Sequence, residues 1–403
     1  MWADEELCKR GSRVIKVLTV FGTRPEAVKM VPVIQALESF PNIESRVCVT
    51  GQHREMLDQV LDFFEVKPDF DLQLMQQGQS LASLTARLIE GIDKVLEQER
   101  PDVVLVHGDT ATTLGASLAA FYRKVPIGHV EAGLRTGDLY SPWPEEMNRR
   151  VTDTLTSFYF APTEESCRNL YAEKIDPSRI FITGNSVVDT LKLAVEKLQK
   201  NADLRAGMEE SFSFIRTDAR MILVTGHRRE NFGDKFASFC NGLLKLAQRY
   251  PDVDIVYPVH LNPNVRKPVF ELLSRVSNIH LIEPQEYLPF VYLMNRCHLI
   301  ITDSGGIQEE APALGKPVLV TRDTTERPEA LAAGVARLVG TEAENIVRCA
   351  SELLDDAMVY ANMSQAHSPY GDGSAGRRIA SILASLPQLR HEMAAEATLA
   401  TAS

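Results

Sequence analysis

The sequence has few of the features that mark secreted, membrane-bound or metal-rich proteins. Its six cysteines are spread along 403 residues, with neither a C-x-x-C pair nor a zinc-type Cys/His cluster. We therefore interpret them as reduced thiols. No apolar run reaches the roughly 20 residues that a membrane-spanning helix needs. These absences argue against a disulfide scaffold, a zinc module and a helical membrane protein.

Positive charge is also scarce, because 43 Lys and Arg face 54 Asp and Glu, which gives a net charge of −11. Such a surface disfavours non-specific attraction to nucleic acid or to anionic lipid, so an anionic ligand needs a local basic pocket. Residues 1–13 lack the apolar core of a signal peptide and are predicted to be a disordered extension. We expect a cytoplasmic protein.

The chain is too long for one compact core, and its hydrophobic pattern predicts two. Short β-branched runs recur with helical stretches between them, which is the alternation of a parallel α/β sheet. We predict two Rossmann-like doubly wound domains in tandem, with a cleft between them. The predicted strands are 14–20, 46–50, 103–107, 127–130, 158–160 and 180–183, followed by 221–225, 255–259, 280–282, 298–302, 318–320 and 337–339.

The domain boundaries are predicted from the end of the first strand series and from the composition of the tail. The join after residue 190 spaces Leu191, Ala194, Val195 and Leu198 as one apolar helix face, so it is expected to be helical. The tail is Ala-rich, has little to bury and should fray. The predicted parts are an N-terminal Rossmann-like domain (14–186), a C-terminal Rossmann-like domain (187–368), a helix packing back on the first domain (369–390) and a disordered tail (391–403).

Glycine and polar residues follow the predicted strands, where an open parallel sheet binds its ligands. In the second half, Ser304, Gly305 and Gly306 form a glycine turn that opens a helix, and backbone N–H groups at such a turn can hold a phosphate. Glu310, about one turn further, is suitably placed for ribose hydroxyls. The alternative is a tight strand-to-helix turn without a ligand.

Arg24 and Lys29 are the corresponding cations of the first half, directly after its first strand. An Arg can grip a pyrophosphate with two parallel hydrogen bonds. The alternative is a solvated pair of surface charges. Their position at the carboxyl end of the first strand favours the ligand-binding interpretation.

Three carboxylates and one imidazole form the candidate acid-base set, and each has a structural alternative. Asp109 could cap the helix that begins at Thr110, Glu145 could be an ordinary first-turn acid after a proline, and His227 could be a loop residue. Together the alternatives weaken, because Asp109, Glu131 and His227 all fall just after predicted strands.

Two further motifs are set aside. Residues 371–376 match G-x-G-x-x-G, but no strand precedes them and too little chain follows for a dinucleotide-binding unit. The D-x-D segments 69–71 and 252–254 resemble metal-binding motifs of sugar-nucleotide transferases, yet each lies at the start of a likely strand. We interpret both as turn residues.

Several stretches, in this order, resemble the non-hydrolysing UDP-N-acetylglucosamine 2-epimerases, a family with the two-domain GT-B architecture. The resemblance extends over about residues 14–382, and its specificity lies in the number and order of the motifs. They are VLTVFGTRPEAVKM, TGQHREMLDQV, VLVHGDTATT, HVEAGLRTGD, PEEMNRR, TGNSVVDT, VTGHRREN, ITDSGGIQEEAPALGKPVLV and TTERPEAL.

The resemblance implies a role for each candidate residue. It assigns the sugar and diphosphate region to Arg24, Lys29, Asp109, Glu131, Glu145 and His227. It further assigns uracil contacts to Gln285 and Phe290, phosphate contacts to Ser304, Gly305 and Gly306, the ribose to Glu310 and the diphosphate side to Arg327.

The resemblance also implies a reaction that interconverts UDP-GlcNAc and UDP-ManNAc by elimination of UDP and readdition through 2-acetamidoglucal. No cofactor and no metal are expected, the partners are the two UDP-sugars, and a homodimer is usual in the family. The product would supply ManNAc-derived precursors of cell-surface polysaccharide. The alternatives are a hydrolysing 2-epimerase that releases ManNAc and UDP, a GT-B glycosyltransferase, and a UDP-sugar sensor without catalysis.

Overall fold

The computed structural model describes residues 14–51, 54–75 and 78–386, without the side chains of 54–56. The extension and tail predicted to be disordered, 1–13 and 391–403, lie outside the described residues. The chain divides into two compact units. Unit 1 holds the described residues up to Thr190 together with those from Gly371 onward, and unit 2 runs from Leu191 to Tyr370.

Unit 1 is built on a seven-stranded parallel sheet in the order β3-β2-β1-β4-β5-β6-β7. Its central strands are buried along almost their whole length, as expected of a sheet covered by helices on both faces. The strands are β1 (Ile15–Phe21), β2 (Ile43–Val49), β3 (Phe70–Asp71), β4 (Val103–His107), β5 (Ile127–Val130), β6 (Phe158–Ala161) and β7 (Ile180–Ile182). The helices are α1 (Arg24–Glu38), α2 (Arg54–Phe64), α3 (Leu81–Glu99), α4 (Ala111–Tyr122), α5 (Glu145–Leu155) and α6 (Glu164–Ala172).

Unit 2 repeats this plan with six parallel strands in the order β10-β9-β8-β11-β12-β13. The helix that crosses the division is α7 (Ser186–Lys200), followed by α8 (Ala202–Ser211). The strands are β8 (Met221–Thr225), β9 (Asp254–Pro258), β10 (Ile279–Ile282), β11 (Leu299–Thr302), β12 (Val318–Val320) and β13 (Ala336–Leu338). The remaining helices of unit 2 are α9 (Asp234–Arg249), α10 (Pro263–Leu273), α11 (Tyr287–Arg296), α12 (Gly305–Glu310), α13 (Pro328–Ala332), α14 (Ala343–Asp355) and α15 (Ala357–Ser364).

In both sheets the strand order reverses beside the first strand, between β1 and β4 in unit 1 and between β8 and β11 in unit 2. The prediction of two doubly wound parallel α/β domains is therefore confirmed. Loops that leave the carboxyl ends of adjacent strands diverge at such a reversal and leave a crevice for a ligand. The candidate residues Asp109 and Glu131 follow β4 and β5, while His227 and Ser304 follow β8 and β11.

The last helix of the described chain, α16 (Ala375–Ala384), packs against α1 within unit 1. A Cβ atom on Gly376 would lie 2.6 Å from the carbonyl oxygen of Pro32, so only glycine permits this approach. The backbone N–H of Gly376 also donates to Asp189 Oδ1 at 2.9 Å. These contacts join α16 to α1 and to the beginning of α7.

Two general properties of the described residues complete the fold. Their five cysteines are all buried free thiols. Among their helices, none combines the length and apolar character required to cross a bilayer.

Candidate active site

The turn after β1 is held by a capping box, in which Thr23 and Glu26 bond each other's backbone N–H groups. The buried Glu26 carboxylate also accepts from Gly22 N at 3.0 Å and from Thr110 Oγ1, at the turn after β4, at 2.7 Å. The two turns that flank the strand-order reversal are thus fastened together. Arg24, half-buried at the start of α1, makes no hydrogen bond or ion pair with any residue that the structure describes.

Glu131 directly follows β5 and lies in a buried cluster of charges. Lys29 Nζ donates to its two carboxylate oxygens at 2.7 and 2.8 Å. His107 Nε2 lies 2.8 Å from Oε2, although the ring is turned so that this contact is electrostatic rather than a well-aligned hydrogen bond. Burial alone would raise the pKa of Glu131, but Lys29 and His107 outweigh it and hold that pKa well below its ordinary value.

The backbone at Glu131 is itself unusual, with φ at 67°, in the left-handed region that favours glycine. Non-glycine residues persist in this region only where the surroundings fix them, and they are often found at functional sites. Here the N–H groups of Glu131 and Ala132 both bond to the carbonyl oxygen of Phe160 on β6. The carboxylate is therefore aimed by its backbone as well as by its cations.

Asp109 follows β4 and is paired with a cation that sequence reasoning missed. The Arg149 guanidinium of α5 donates to Asp109 Oδ2, and Asn148 Nδ2 donates to the Asp109 carbonyl at 2.8 Å. The helix cap of α4 is Thr110, whose hydroxyl accepts from the N–H group at the third helical position. The carboxylate of Asp109 is therefore not used as a helix cap.

Glu145 is the first residue of α5 and is half-buried. Its side chain makes no hydrogen bond with the described part of the chain. Asn148 and Arg149, which bond to Asp109, come three and four residues later and therefore lie on the same face of α5 as Glu145. The neighbouring Glu146 is fully buried and accepts from Thr136 N at 3.1 Å, which fixes the loop before α5.

In unit 2, His227 follows β8 and is oriented by Asp303, which follows β11. The backbone N–H groups of His227 and Arg228 each donate to Asp303 Oδ2 at 2.8 Å, and His227 Nδ1 lies 3.4 Å from Asp303 Oδ1. The ring stacks on His260 with 5.4 Å between centroids. Burial, His260 and Arg228 lower the pKa of His227 against the opposing charge of Asp303, so the ring is mainly neutral at pH 7.

The predicted glycine turn opens α12, with Ser304 at the helix cap. The Ser304 side chain makes no capping bond. A Cβ atom on Gly305 or Gly306 would meet no heavy atom nearer than 4.0 Å, and the atom at that distance from Gly305 is Arg228 Nη2. The first turn of α12 therefore borders open space, with a guanidinium beside it.

The remaining predicted residues of unit 2 lie on, or just before, the helices α11, α12 and α13. Gln285 donates to a backbone carbonyl two residues earlier at 2.7 Å, and Phe290 is half-buried on α11. Glu310 is the last residue of α12, and Arg327 caps α13 and forms an ion pair with the buried Glu309. The structure thus joins Arg327 to α12 through a carboxylate.

The motifs set aside on sequence grounds have structural contacts. Asp69 Oδ2 accepts from Val47 N at 2.8 Å, and Asp254 accepts from Arg216 N at 2.9 Å. In segment 371–376, Asp372 forms an ion pair with Arg378. Within the described ranges, no group of three or more His, Cys, Asp or Glu side chains is arranged to hold a metal ion.

Sequence reasoning missed the side chains that contact the candidate residues. His107, Arg149 and Asp303 each contact a predicted site residue. His107 could have been found, because it ends a buried strand beside Gly108 and Asp109. Arg149 had the signal of helical spacing, four residues after Glu145.

Comparison with known proteins identifies one family over most of the chain. The family model described as UDP-N-acetylglucosamine 2-epimerase matches residues 35–384. The UDP-N-acetylglucosamine 2-epimerase of Yersinia pestis is 59% identical over 365 residues, which cover 91% of this chain and 97% of that protein.

Solved structures give the same result. The UDP-GlcNAc 2-epimerase from Neisseria meningitidis, crystallised with UDP-GlcNAc, is 56% identical, with a TM-score of 0.83 over 92% of this chain and 99% of that one. A protein from Listeria monocytogenes described as a UDP-N-acetylglucosamine 2-epimerase is 46% identical, with a TM-score of 0.85 over 93% of this chain and 97% of that one.

Fold and site together define the class of protein, an enzyme built from two GT-B-like parallel α/β domains. More narrowly, the chain belongs to the UDP-N-acetylglucosamine 2-epimerase family and is an isomerase. The family predicted from the sequence motifs is therefore confirmed.

Proposed function

We propose that this protein is a non-hydrolysing epimerase that interconverts UDP-GlcNAc and UDP-ManNAc. A base takes the proton from C2 of the sugar, the C2–H electron pair forms a C1–C2 double bond, and the C1–O bond breaks with its electrons going to UDP. The 2-acetamidoglucal stays bound. UDP then adds back to C1 while a proton reaches C2 from the opposite face, and no redox cofactor or metal is required.

The observation that carries the proposal is the group of three carboxylates at one edge of the unit 1 sheet. Asp109 is paired with Arg149, which lies on α5 four residues after Glu145, and Glu131 lies at the adjacent strand end. A reaction that removes a proton from one face of C2 and returns it to the other needs more than one proton-handling group. Because its pKa is held low, Glu131 enters this reaction ionised and without a proton to donate.

The basic groups near these carboxylates divide into two kinds. Lys29 is held on Glu131, so we assign it to orienting that carboxylate at the sugar and diphosphate end of the substrate. Arg24 has no partner in the described chain, and its guanidinium is the group available in unit 1 for the leaving diphosphate. Charge that develops on UDP as the C1–O bond breaks would be stabilised there.

Unit 2 is proposed to hold the nucleotide. Ser304, Gly305 and Gly306 offer backbone N–H groups beside open space for the phosphates, with the neutral ring of His227 as a further hydrogen-bonding group. The proposal gives the uracil to Gln285 and Phe290. The ribose falls to Glu310 and the diphosphate side to Arg327.

Product analysis tests this function against the two other enzyme reactions. Purified protein is incubated with UDP-GlcNAc, and the sugars are separated and identified. The proposal predicts UDP-ManNAc in equilibrium with UDP-GlcNAc. Free ManNAc with stoichiometric UDP would establish the hydrolysing reaction, and transfer of GlcNAc that depends on an added acceptor would establish a glycosyltransferase.

Three further properties belong to the same proposal. The product would supply ManNAc-derived precursors of cell-surface polysaccharide, a role that fits the bacterial origin of the relatives. The enzyme would work in the cytoplasm, where UDP-sugars are made. It would act as a homodimer, and light scattering of the purified protein should give twice the 44.8 kDa mass of one chain.

A further inference from the structure

A buried network of charges lies beneath the two turns that carry Asp109 and Glu131. At its centre is His129 of β5, whose side chain has no exposed surface. One ring nitrogen, Nδ1, lies 2.6 Å from Asp153 Oδ1 on α5. The other, Nε2, lies 2.8 Å from the carbonyl oxygen of Gly108. This histidine is absent from the acid-base set derived above.

The chemistry of the two partners fixes the state of the ring. A backbone carbonyl oxygen can only accept a hydrogen bond, so Nε2 must carry a proton. Asp153 Oδ1 belongs to a carboxylate that also accepts from Arg135 Nη2 and Gly133 N, at 2.7 and 3.2 Å through Oδ2. An ionised carboxylate is an acceptor as well. Both ring nitrogens of His129 thus face acceptors, an arrangement in which only an imidazolium can donate both hydrogen bonds.

The carboxylate side of the pair is consistent with this state. Burial alone would raise the pKa of Asp153, but the charges of His129 and Arg135 and their hydrogen bonds outweigh it and lower that pKa. Arg135 continues the network to Glu173 at 2.7 Å. Positive and negative groups thus alternate from His129 outward, so the buried cation is compensated.

Both turns that this network reaches contain a residue in the left-handed backbone region. Gly108, one residue before Asp109, has φ at 65°, and Glu131 has φ at 67°. His129 holds the first turn through the Gly108 carbonyl, and Asp153 holds the second through the N–H of Gly133. One ion pair therefore spans the two loops that carry proposed catalytic carboxylates.

We propose that His129, as a buried imidazolium, is a positioning residue that clamps the turn before Asp109 to the loop after Glu131 and so sets the distance between the two carboxylates. This inference rests on the proposed function. A misplacement of about 1 Å in a reacting group can lower a rate on the order of 10²-fold. Loss of the clamp should therefore appear in kcat rather than in substrate binding.

Two substitutions separate the two hydrogen bonds of the ring. In His129→Asn the amide nitrogen takes the place of Nδ1, so it reaches Asp153 but not Gly108. In His129→Gln the amide nitrogen takes the place of Nε2 and still reaches the Gly108 carbonyl. We expect kcat to fall on the order of 10²-fold in His129→Asn, with a smaller fall in His129→Gln and an unchanged KM in both.

The matched control is His280 of β10, which lies 3.3 Å from the buried Asp254 in unit 2, away from the proposed site. His280→Gln should leave kcat unchanged, even where it lowers the unfolding midpoint. Equal losses of stability in all three variants without a selective loss of kcat in His129→Asn would overturn the proposal. Wild-type kcat in His129→Asn would do the same.

A measurement on the wild-type protein needs no variant to fold. With histidine labelled by nitrogen-15, the His129 resonances, assigned through proton contacts to Gly108, should show both ring nitrogens protonated at pH 7.5. A ring with one bare nitrogen would overturn the proposal whatever the variants do. Failure of the wild type to form UDP-ManNAc would instead refute the proposed function and leave this ring spectrum unaffected.

Discussion

The two units contribute sites of opposite character. In unit 1 three of the five candidate groups are held in ion pairs, and the Lys29 and Glu131 side chains are only 15% and 8% exposed. In unit 2 the corresponding groups lie around open space, and His227 is 41% exposed. Charges fixed in advance at a reacting centre stabilise a transition state without reorganisation, whereas an open turn of backbone N–H groups suits reversible binding. We infer that unit 1 performs the chemistry and unit 2 holds the nucleotide.

The largest effect should come from neutralising the carboxylates of unit 1 one at a time. We expect Asp109→Asn, Glu131→Gln and Glu145→Gln to lower kcat by roughly 10²-fold or more, the usual range for a general acid or base. UDP affinity, measured by titration calorimetry, should persist because its proposed contacts lie in unit 2.

The control for these substitutions is Glu164→Gln. Glu164 is also the first residue of a helix, α6, but it is exposed and outside the candidate site. It should leave both kcat and UDP affinity unchanged. Loss of UDP binding in the three carboxylate variants would contradict the assignment of the chemistry to unit 1 and of nucleotide binding to unit 2.

The free energy of unfolding should distinguish Glu131 from Glu145, although both substitutions are expected to lower kcat. Glu131→Gln removes the charge that compensates Lys29 in a buried pair, so we expect a loss of about 3 kcal/mol in the free energy of unfolding. Glu145→Gln removes a half-buried acid without a partner in the described chain and should cost less than about 1 kcal/mol, through the helix dipole. Urea unfolding of both variants beside the wild type measures this difference.

The contribution of the ionised Glu131 carboxylate to the free energy of unfolding should depend on pH. Its pKa is lower in the folded than in the unfolded state, so its stabilisation is complete above the ordinary value of 4.5 and is lost as the pH falls through the folded-state pKa. The stability gap between wild type and Glu131→Gln should therefore shrink in acid. A gap that stayed constant from pH 7 to pH 3 would argue against the buried ion pair.

A smaller effect is expected from the ribose contact of unit 2. Glu310→Ala should raise KM and weaken UDP binding while leaving kcat at saturation unchanged, because ground and transition states share that contact. Glu344→Ala, at an exposed position of α14, is the control. A large fall in kcat at unchanged KM would show that Glu310 takes part in the reaction. It would contradict the assignment of unit 2 to nucleotide binding alone.

The smallest effect should follow chelation. We expect turnover to survive EDTA, because the charge on departing UDP is proposed to be met by Arg24 and the turn at Ser304 rather than by a divalent ion. Turnover is measured before and after exhaustive dialysis against the chelator. Activity lost in EDTA and restored by Mg²⁺ would refute this part of the proposal.

The sequence predicted the strands well because buried parallel strands are short, continuous apolar runs. Four predicted ranges, 103–107, 127–130, 221–225 and 318–320, coincide with β4, β5, β8 and β12. β3 was absent from the predicted strand series, although residues 69–71 were placed at the start of a likely strand. Its two residues, Phe70 and Asp71, carry no periodicity and pair with the end of β2. Hydrophobic pattern finds a strand only where several residues share it.

Sequence reasoning could name individual candidate residues of the site but not the contacts between them. Asp109 and Glu131 could be named because they follow strands. That Lys29 lies on Glu131, 102 positions away, depends on the strand order and on the left-handed backbone at Glu131, which no local pattern reports. Sequence reasoning grouped Lys29 with Arg24 instead, since both follow β1.

The most direct measurement concerns the hydrogen at C2 of the sugar. UDP-GlcNAc is incubated with the enzyme in D₂O, and the UDP-ManNAc formed is examined by mass spectrometry and proton NMR. Elimination and readdition through the unit 1 carboxylates predict one deuterium at C2 of the product, with exchange lost in Asp109→Asn, Glu131→Gln and Glu145→Gln. UDP-ManNAc that retains protium at C2 would contradict the account.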